Sequence, residues 1–240
     1  MSTFVLVHGA YLSSAYWDDV AKILRSNGHD VFAPSLTGSG ERAHQLTPSV
    51  SLRTHVTDIR SLLEYRDLND VILVGHSYSG YVVTGAALEA RERVGRLVYA
   101  DAVVPEPGKT CADVLGDPFG GFVNAANKNG DGWRMPLIEG LDVKVGVEGE
   151  VRARFNRLIT PFSLLCFKQR IEALSEGMGV LDEFAPVYIF ATKDYPNKVL
   201  MQSSADRARE YGWTVEEIDA AHMSALEVPA VVAQRLLALA

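Results

Sequence analysis

Ser77 lies in a short segment, GHSYSG at residues 75–80, that places small residues on both sides of a hydroxyl group. A serine becomes a useful nucleophile when a sharp strand-to-helix turn projects its oxygen and backbone N–H groups face the developing oxyanion. Such a turn needs small residues two positions before and two positions after the serine, because its backbone is strained and closely packed. Gly75 and Ser79 fill these positions, and Ser79 departs from GxSxG by one small residue. The segment predicts nucleophilic attack by Ser77 on an acyl carbon, and a Gly/Ser-rich turn without function is the alternative.

A nucleophilic serine on such a turn needs a general base, and the expected order along the chain is serine, then an acid, then histidine. His222 is the only one of the six histidines that follows Ser77. It comes just after the last predicted strand, in a loop that can return over the strand ends. His8 is better placed to support an oxyanion loop. We therefore predict that His222 is the base, with a structural or solvated loop histidine as the alternative.

Three aspartates compete for the position of the acid that orients this histidine. Asp194 follows the predicted strand at residues 187–191, at the strand end that would face the site. Asp101 ends the preceding strand and is the main rival, and Asp219 lies on the approach to His222. Either rival could instead form a turn or cap a helix. Position along the chain favours Asp194 over Asp101.

The first predicted strand ends in His8-Gly9-Ala10, which is the place for a second oxyanion donor. The backbone N–H groups of Ala10 and Tyr78 are expected to converge on the substrate oxygen. Gly9 could equally serve only as a tight turn.

Alternating strands and helices must position these residues. Short apolar runs predict strands, and apolar residues at helical spacing predict the helices between them. The predicted strands are residues 4–7, 30–33, 71–74, 97–100, 187–191 and 214–218, and the predicted helices are 14–27, 51–66, 78–92, 198–211 and a C-terminal helix that begins near Pro229. This alternation is typical of an α/β fold with a mostly parallel sheet and helices on both faces.

The alternation lapses in residues 105–183, where Gly, Pro and Asp cluster and apolar residues come in short groups. A segment of that length needs structure of its own, so we predict a mostly helical lid. Residues 1–104 and 184–240 would then form the core of one domain.

Composition limits the partners and the location of the protein. The chain of 240 residues is 48% hydrophobic and 22% charged, as in ordinary globular proteins, and its formal charge of −7 argues against nucleic acid as a ligand. No signal peptide and no apolar run of about 20 residues is recognisable, which predicts a cytoplasmic protein without a membrane role. Two cysteines, Cys111 and Cys166, lack metal-ligand spacing and are expected to be free thiols. The sequence leaves open whether the protein forms a homodimer.

With these residues in view, the chain resembles the α/β-hydrolase superfamily, and within it the small branch of plant methyl esterases, hydroxynitrile lyases and many bacterial hydrolases. The likeness includes residues 4–17, the serine turn at 75–80, the strand before Asp194 and the pair His222-Met223. In that branch the acid and the histidine are separated much as Asp194 and His222 are here, by 28 positions (222 minus 194). The resemblance thus supports Asp194.

The resemblance also separates esterase-like from lyase-like members. The lyases carry a threonine just after the first-strand histidine and a lysine just after the catalytic histidine, where this chain has Gly9 and Met223. The family implies an ester or thioester substrate, no metal and no organic cofactor. A lyase, decarboxylase or cyclase that uses His222 as base, and a binding protein that lost catalysis, are the two alternative classes.

The lid is expected to set specificity, and the sequence does not name the substrate. Most lid aromatics would individually be packing residues, but together they predict an apolar site for a small apolar or aromatic ester. The predicted pocket residues are Gly9, Tyr11, Leu12, Phe119, Phe122, Trp133 and Met223.

Overall fold

A six-stranded parallel sheet forms the centre of the molecule in the computed structural model. The structure describes residues 1–240, apart from the side chains of Asp117, Pro118 and Glu176. The strands are β1 (Thr3–Val7), β2 (Asp30–Phe32), β3 (Val71–Ser77), β4 (Val94–Ala102), β5 (Arg134–Met135), β6 (Phe162–Ser163), β7 (Val187–Ala191) and β8 (Thr214–Ile218). The main sheet has the order β2-β1-β3-β4-β7-β8 and is parallel at every pairing. The predicted parallel α/β sheet is confirmed.

Helices cover both faces of this sheet, which explains why β1, β3 and β7 are buried along nearly their whole length. The helices are α1 (Asp18–Ser26), α2 (Leu52–Tyr65), α3 (Ser79–Glu89), α4 (Cys111–Leu115), α5 (Asp117–Asn129), α6 (Leu141–Lys144), α7 (Gly149–Leu158), α8 (Lys198–Glu210), α9 (Ser224–Glu227) and α10 (Pro229–Leu237). In this order of strands, the right-handed rule for parallel crossovers places α1 on the face opposite α2, α3 and α8. The contacts agree, since α10 packs beside α1 and α2 packs against α3.

Local sequence signals set the ends of several helices. Ser51 begins α2 with a capping box, in which its hydroxyl accepts from the Thr54 N–H and the Thr54 hydroxyl accepts from the Ser51 N–H. Pro229 occupies the first turn of α10, where its missing N–H costs nothing. These ends lie within a residue or two of the predicted ones.

The lid, residues 105–183, lies between β4 and β7 and carries α4 to α7 together with short 3-10 helices. It also contains a feature that its sequence did not predict, because β5 and β6 pair as a small antiparallel ribbon of two residues each. Phe155, Phe162 and Phe167 of the lid are buried in contact with the main core. The predicted mostly helical lid is therefore confirmed, while its boundaries at residues 105 and 183 stay a prediction.

Within the part of the chain that the structure describes, no helix combines the length and the apolar character that crossing a bilayer requires.

Candidate active site

The Ser77 turn joins β3 to α3, and its backbone is strained at the serine itself. Ser77 has a φ of +55°, a left-handed conformation that is uncommon for a residue with a side chain. A Cβ added at Gly75 would lie 2.6 Å from the Ser79 carbonyl oxygen, and one at Gly80 would collide with the Val103 carbonyl. The small residues of the turn therefore let α3 begin directly against the ends of β3 and β4.

Ser79, which stands where GxSxG has its second glycine, ties the serine turn to the first strand. Its hydroxyl donates to the carbonyl oxygen of His8 at 2.5 Å. A Cβ added at Gly9 would lie 2.7 Å from the Cβ of Ser77. The loop after β1 thus approaches the serine closely, and Ser79 supplies a hydrogen bond at this contact that glycine would lack.

His222 reaches the serine from the loop between β8 and α9. Its Nε2 lies 3.0 Å from the Ser77 Oγ, and the residue is 6% exposed. The backbone behind it is fixed by His76, whose Nε2 donates to the His222 carbonyl oxygen at 3.0 Å. The predicted pairing of Ser77 with His222 is thus present in the structure.

Asp101 occupies the other side of the imidazole. Its Oδ2 lies 2.7 Å from the His222 Nδ1 and also accepts from the Tyr195 hydroxyl at 3.0 Å, while its Oδ1 accepts from the Ala191 N–H at 3.1 Å. The carboxylate is 1% exposed, and these donors replace the water that burial removes. A carboxylate on Nδ1 keeps the proton there, so the lone pair of Nε2 faces Ser77.

A bulge in β4 directs Asp101 toward the histidine. In the pairing of β3 with β4, His76 lies opposite Ala100 and Ser77 lies opposite Ala102, so Asp101 is the extra residue on its strand. Its φ is +45°. A bulge of this kind re-aims one side chain at the end of a sheet. Here it turns a strand-end aspartate toward the neighbouring strand's serine and its base.

The structure corrects the predicted position of the acid, because Asp194 does not contact His222. The Asp194 side chain is 100% exposed and lies 3.7 Å from the Lys198 Nζ. After β7 the chain turns toward β8, since the Lys193 N–H donates to the Ala220 carbonyl oxygen at 3.0 Å. This turn carries Asp194 to the surface. Asp219, the third candidate, is also exposed.

Tyr195, the residue after Asp194, is part of the site that the sequence analysis missed. It is 7% exposed, its hydroxyl donates to Asp101, and its ring stacks beside that of His222 at 6.0 Å between centroids. Burial and the neighbouring Asp101 carboxylate raise the pKa of its hydroxyl well above the usual value. No periodicity distinguishes such a loop tyrosine; its proximity to a candidate acid was the only signal.

The two expected oxyanion donors lie at the same cavity as the serine. The N–H groups of Ala10 and Tyr78 make no hydrogen bond to any described residue, and both residues line the cavity beside Ser77. Tyr78 is held from behind by His55, whose Nδ1 accepts from the Tyr78 hydroxyl at 3.1 Å. Its ring also contacts Phe167 of the lid, at 5.0 Å between ring centroids. The nucleophile turn, helix α2 and the lid are therefore packed together at this residue.

A cavity of about 100 Å³ adjoins these groups. Its walls are apolar and strongly aromatic, and the lid supplies most of the wall opposite the strand ends. The lining residues are Ala10, Tyr11, Ser77, Tyr78, Val103, Leu115, Phe122, Met135, Leu141, Val145, Phe155, Phe167, Tyr195, Asn197, Leu200, Met201, His222 and Met223. Among the described residues, none of the lining side chains is an acid, a lysine or an arginine, which favours an uncharged ligand.

A second cavity of about 150 Å³ continues the first between the lid and α8. The two cavities share Leu115, Phe122, Asn197 and Leu200 as walls. A ligand group in the first cavity could therefore extend past these side chains toward the surface.

The predicted pocket residues are placed partly at the cavity and partly behind it. Tyr11, Phe122 and Met223 line the cavity with Ser77, and Phe119 lines the outer cavity. Three others are corrected. Gly9 lies behind the serine, as its close approach to the Ser77 Cβ requires. Leu12 is 1% exposed and belongs to the main core. Trp133 lies beside the β5–β6 ribbon, where its carbonyl oxygen accepts from the Leu164 N–H at 2.9 Å.

Three buried histidines surround the site in the neutral form. Burial lowers the pKa of His8 and of His55 to about 4, and it lowers the pKa of His76 well below its usual value. Each has a defined partner: the His8 Nε2 accepts from the Leu36 N–H, while the Nε2 of His55 and of His76 donates to a backbone carbonyl oxygen. Protonation would place an uncompensated charge in the core.

These histidines predict a loss of stability in mild acid. A histidine whose folded pKa lies below its unfolded value near 6.5 costs no stability above that pH. As the pH falls from about 6.5 to about 4, the unfolded chain takes up the proton first, and each such residue removes up to about 1.4 kcal/mol per pH unit. Urea unfolding at pH 8, 6.5, 5.5 and 5 should show a free energy of unfolding that is flat above pH 7 and falls below it.

A matched pair of variants separates this effect from the titration of carboxylates. His55→Gln should reduce the slope below pH 6.5, whereas His44→Gln, at an exposed position, should leave it unchanged. Equal slopes in both variants and in the parent protein would contradict the assignment to buried histidines.

The family of this chain follows from comparison with known proteins. The model of the Alpha/beta hydrolase family matches residues 4–235, nearly the whole length. The chain belongs to the alpha/beta hydrolase family. The predicted fold class and the resemblance on which it drew are therefore confirmed.

Relatives within the family are named as esterases. The carbendazim hydrolyzing esterase of Nocardioides sp. (strain SG-4G) is 34% identical over 248 residues, which cover 100% of this chain and 100% of the relative. The polyneuridine aldehyde esterase of Rauvolfia serpentina is 26% identical over 257 residues, covering 98% and 94%. Among solved structures, an extracellular alpha/beta-hydrolase from a Paenibacillus species has a TM-score of 0.79 at 21% identity and covers 99% of this chain and 98% of its own. The enzyme class predicted from the sequence, carboxylic ester hydrolase, is the class of the two relatives that are named as esterases.

Proposed function

We propose that this protein is a serine hydrolase that cleaves a small uncharged carboxylic ester through an acyl-enzyme on Ser77. The arrangement of Asp101, His222 and Ser77 carries the proposal, with 2.7 Å between the Asp101 Oδ2 and the His222 Nδ1 and 3.0 Å between the His222 Nε2 and the Ser77 Oγ. These are the contacts that a nucleophile, a base and an orienting acid require. The esterase names of the relatives support the same class of reaction.

In the first half of the reaction, the Ser77 Oγ attacks the acyl carbon and its proton passes to the His222 Nε2. Asp101 stabilises the imidazolium that forms, and its fixed position keeps the ring from turning. The carbonyl oxygen gains negative charge, which the N–H groups of Ala10 and Tyr78 stabilise. His222 then gives its proton to the departing alcohol, and the acyl group stays on Ser77.

In the second half, water attacks the acyl-enzyme. The His222 Nε2 takes a proton from that water, and the same two N–H groups again stabilise the charge on oxygen. Collapse of the intermediate returns the proton to the Ser77 Oγ and releases the acid. The strained turn at Ser77 keeps the serine oxygen close to His222 and to the N–H groups of Ala10 and Tyr78 throughout the cycle.

The cavity supports an ester with an apolar or aromatic portion rather than a charged one. Its walls include Phe122, Phe155 and Phe167 and no described acid, lysine or arginine. A volume of about 100 Å³ suits a small group, and the outer cavity leaves room for a longer one. Small molecules of this kind are the partners that we propose. The cytoplasmic location, the lack of nucleic-acid partners and the oligomeric state stay predictions.

Gly9 and Met223 favour hydrolysis over release of cyanide from a cyanohydrin. A cationic group beside the base stabilises a departing cyanide anion, and the thioether of Met223 is neutral and 4% exposed. A side chain at position 9 would also crowd the Cβ of Ser77. Ester hydrolysis requires neither a cation nor a hydroxyl at these places.

The proposal predicts measurable hydrolysis of small activated esters and no cyanide release from mandelonitrile under the same conditions. A panel of 4-nitrophenyl esters from acetate to octanoate, short methyl esters, thioesters and carbendazim tests this directly. Product formation is measured as 4-nitrophenolate absorbance or as a change of pH. Mandelonitrile should yield no more cyanide with the protein than in buffer alone.

The control for this panel is protein with the Ser77 oxygen blocked by a serine-reactive phosphonate. Activity that survives the block would come from another site or a contaminant. Turnover of a β-keto acid or another carbon acid that depends on His222, together with no ester or thioester turnover, would replace the hydrolase proposal by the lyase, decarboxylase or cyclase alternative.

A further inference from the structure

Tyr11 differs from the other tyrosines of the active-site cavity in having no partner for its hydroxyl. Tyr11, Tyr78 and Tyr195 all line the cavity. The hydroxyl of Tyr78 donates to His55 and that of Tyr195 donates to Asp101. Tyr11 is only 4% exposed and its hydroxyl is buried. This hydroxyl meets no donor or acceptor among the described residues.

The backbone at Tyr11 is one that a tyrosine seldom adopts. The Leu12 N–H donates to the Gly9 carbonyl oxygen at 3.3 Å, which closes a turn with Tyr11 at its third position. Tyr11 has a φ of +66° there, and glycine or asparagine usually occupies such a place. A bulky side chain therefore sits where the backbone alone would favour glycine. Strain of this kind clusters at active sites and ligand-binding positions, and Ser77 and Asp101 of the same site share it.

The side chain of Tyr11 is also held in place. Its ring lies between Phe122 and Phe162, with centroid distances of 6.1 and 6.3 Å. Its own carbonyl oxygen accepts from the Thr160 N–H at 2.8 Å, which fastens the turn to the lid. Tyr11 thus carries a fixed, buried polar group on a residue that lines the cavity and directly follows the expected oxyanion donor Ala10.

The missing hydrogen bond of the Tyr11 hydroxyl has an energetic cost in the protein without ligand. A buried hydroxyl without a hydrogen bond costs about 1–3 kcal/mol. A ligand that supplies the missing acceptor removes that cost, and one that lacks it does not. Burial raises the pKa of the Tyr11 hydroxyl, so it remains a neutral donor at ordinary pH.

We propose that Tyr11 is a specificity-determining residue that donates a hydrogen bond to a second acceptor on the substrate. The substrate class is an uncharged ester whose aromatic or heteroaromatic portion carries a nitrogen or oxygen acceptor apart from the ester carbonyl. The aromatic walls of the cavity pack against the flat portion of the substrate, and the Tyr11 hydroxyl donates to the acceptor on that portion. This inference rests on the proposed function for the cleaved bond and adds to it what the rest of the molecule carries.

The test compares Tyr11→Phe with the parent protein on methyl benzoate and on the methyl esters of the three pyridine carboxylic acids. These four esters have nearly the same shape, and the ring nitrogen scans three positions. For each ester the ratio of kcat/KM between parent and variant is measured, so intrinsic differences in ester reactivity cancel. Tyr11→Phe keeps the ring between Phe122 and Phe162. Tyr81→Phe is the matched control, because the Tyr81 hydroxyl donates to the Lys109 carbonyl oxygen instead.

We expect Tyr11→Phe to lower kcat/KM by about 10-fold to 100-fold for at least one pyridine ester and by less than about 2-fold for methyl benzoate. Tyr81→Phe should give equal ratios for all four esters. Equal ratios for all four with Tyr11→Phe would overturn the inference and make Tyr11 a packing residue.

A binding measurement keeps the inference separate from the proposed function. Calorimetric dissociation constants for the same esters are compared between Ser77→Ala and the double variant Ser77→Ala/Tyr11→Phe, neither of which needs turnover. A selective loss of affinity for a pyridine ester supports the role of Tyr11 even if no ester is hydrolysed by the parent. Hydrolysis by the parent with no selective loss in either measurement overturns the role of Tyr11 alone.

Discussion

Ser77→Ala is expected to abolish ester turnover while leaving the fold intact, with a fall in kcat on the order of 10⁶-fold, as for loss of the nucleophile in other serine hydrolases. The change removes one oxygen, and no described backbone group depends on that oxygen for a hydrogen bond. Alanine tolerates the φ of +55° at this position no worse than serine does. The thermal midpoint should therefore stay within a few degrees of the parent value, or rise slightly.

A covalent fluorophosphonate probe checks the same prediction independently of any substrate. The probe should label the parent protein and Ser203→Ala, in which an exposed hydroxyl on α8 is removed, and it should miss Ser77→Ala. Mass spectrometry of the labelled peptide should place the adduct on Ser77. Equal labelling of Ser77→Ala and the parent protein would remove Ser77 from the mechanism.

Asp101→Asn is expected to lower kcat by about 10⁴-fold, whereas Asp194→Asn should change it by less than about 2-fold. Asp101 accepts hydrogen bonds from His222, Tyr195 and Ala191, and every one of these groups is a donor. An asparagine brings an NH₂ group into this set of donors. Either that NH₂ faces another donor, or His222 moves its proton from Nδ1 to Nε2. In the second case Nε2 no longer accepts the proton of Ser77.

The Asp194 variant provides the matched control, since both substitutions exchange one carboxylate for an amide. Asp194 is fully exposed, and its nearest cation is the Lys198 Nζ at 3.7 Å. A pair with such an exposed partner contributes little to stability. Thermal midpoints for both variants show whether a loss of activity reflects unfolding. A large loss at Asp194 with near-normal activity at Asp101 would return the acid to the position after β7.

The sequence predicted the fold well because its periodic signals are local. A strand that is buried on both faces reads as a short apolar run, and 71–74 and 187–191 show such runs clearly. The lid was harder, since short helices and a two-residue ribbon such as β5 with β6 leave almost no periodicity. Its packing depends on contacts with the core that have no counterpart in neighbouring residues.

The pocket shows the same division. Met223 lies next to His222, so its place at the cavity followed from the motif. Leu12 and Trp133 were predicted from their apolar character, yet one lies in the main core and the other beside the lid ribbon. An apolar side chain is equally suited to a core and to a cavity wall, and only the packing of the lid separates the two.

The sequence by itself determined the parallel α/β fold, the serine turn and the partnership of Ser77 with His222. These follow from residue type, small neighbours and order along the chain. Only the tertiary structure decided which aspartate meets the histidine. Asp101 lies at the end of β4 and Asp194 follows the end of β7, at the same edge of the sheet, and position along the chain favours the second. The outcome depends on a bulge that turns Asp101 inward and on a backbone turn toward β8 that carries Asp194 to the surface. Both are set by hydrogen bonds between strands, which no local pattern encodes.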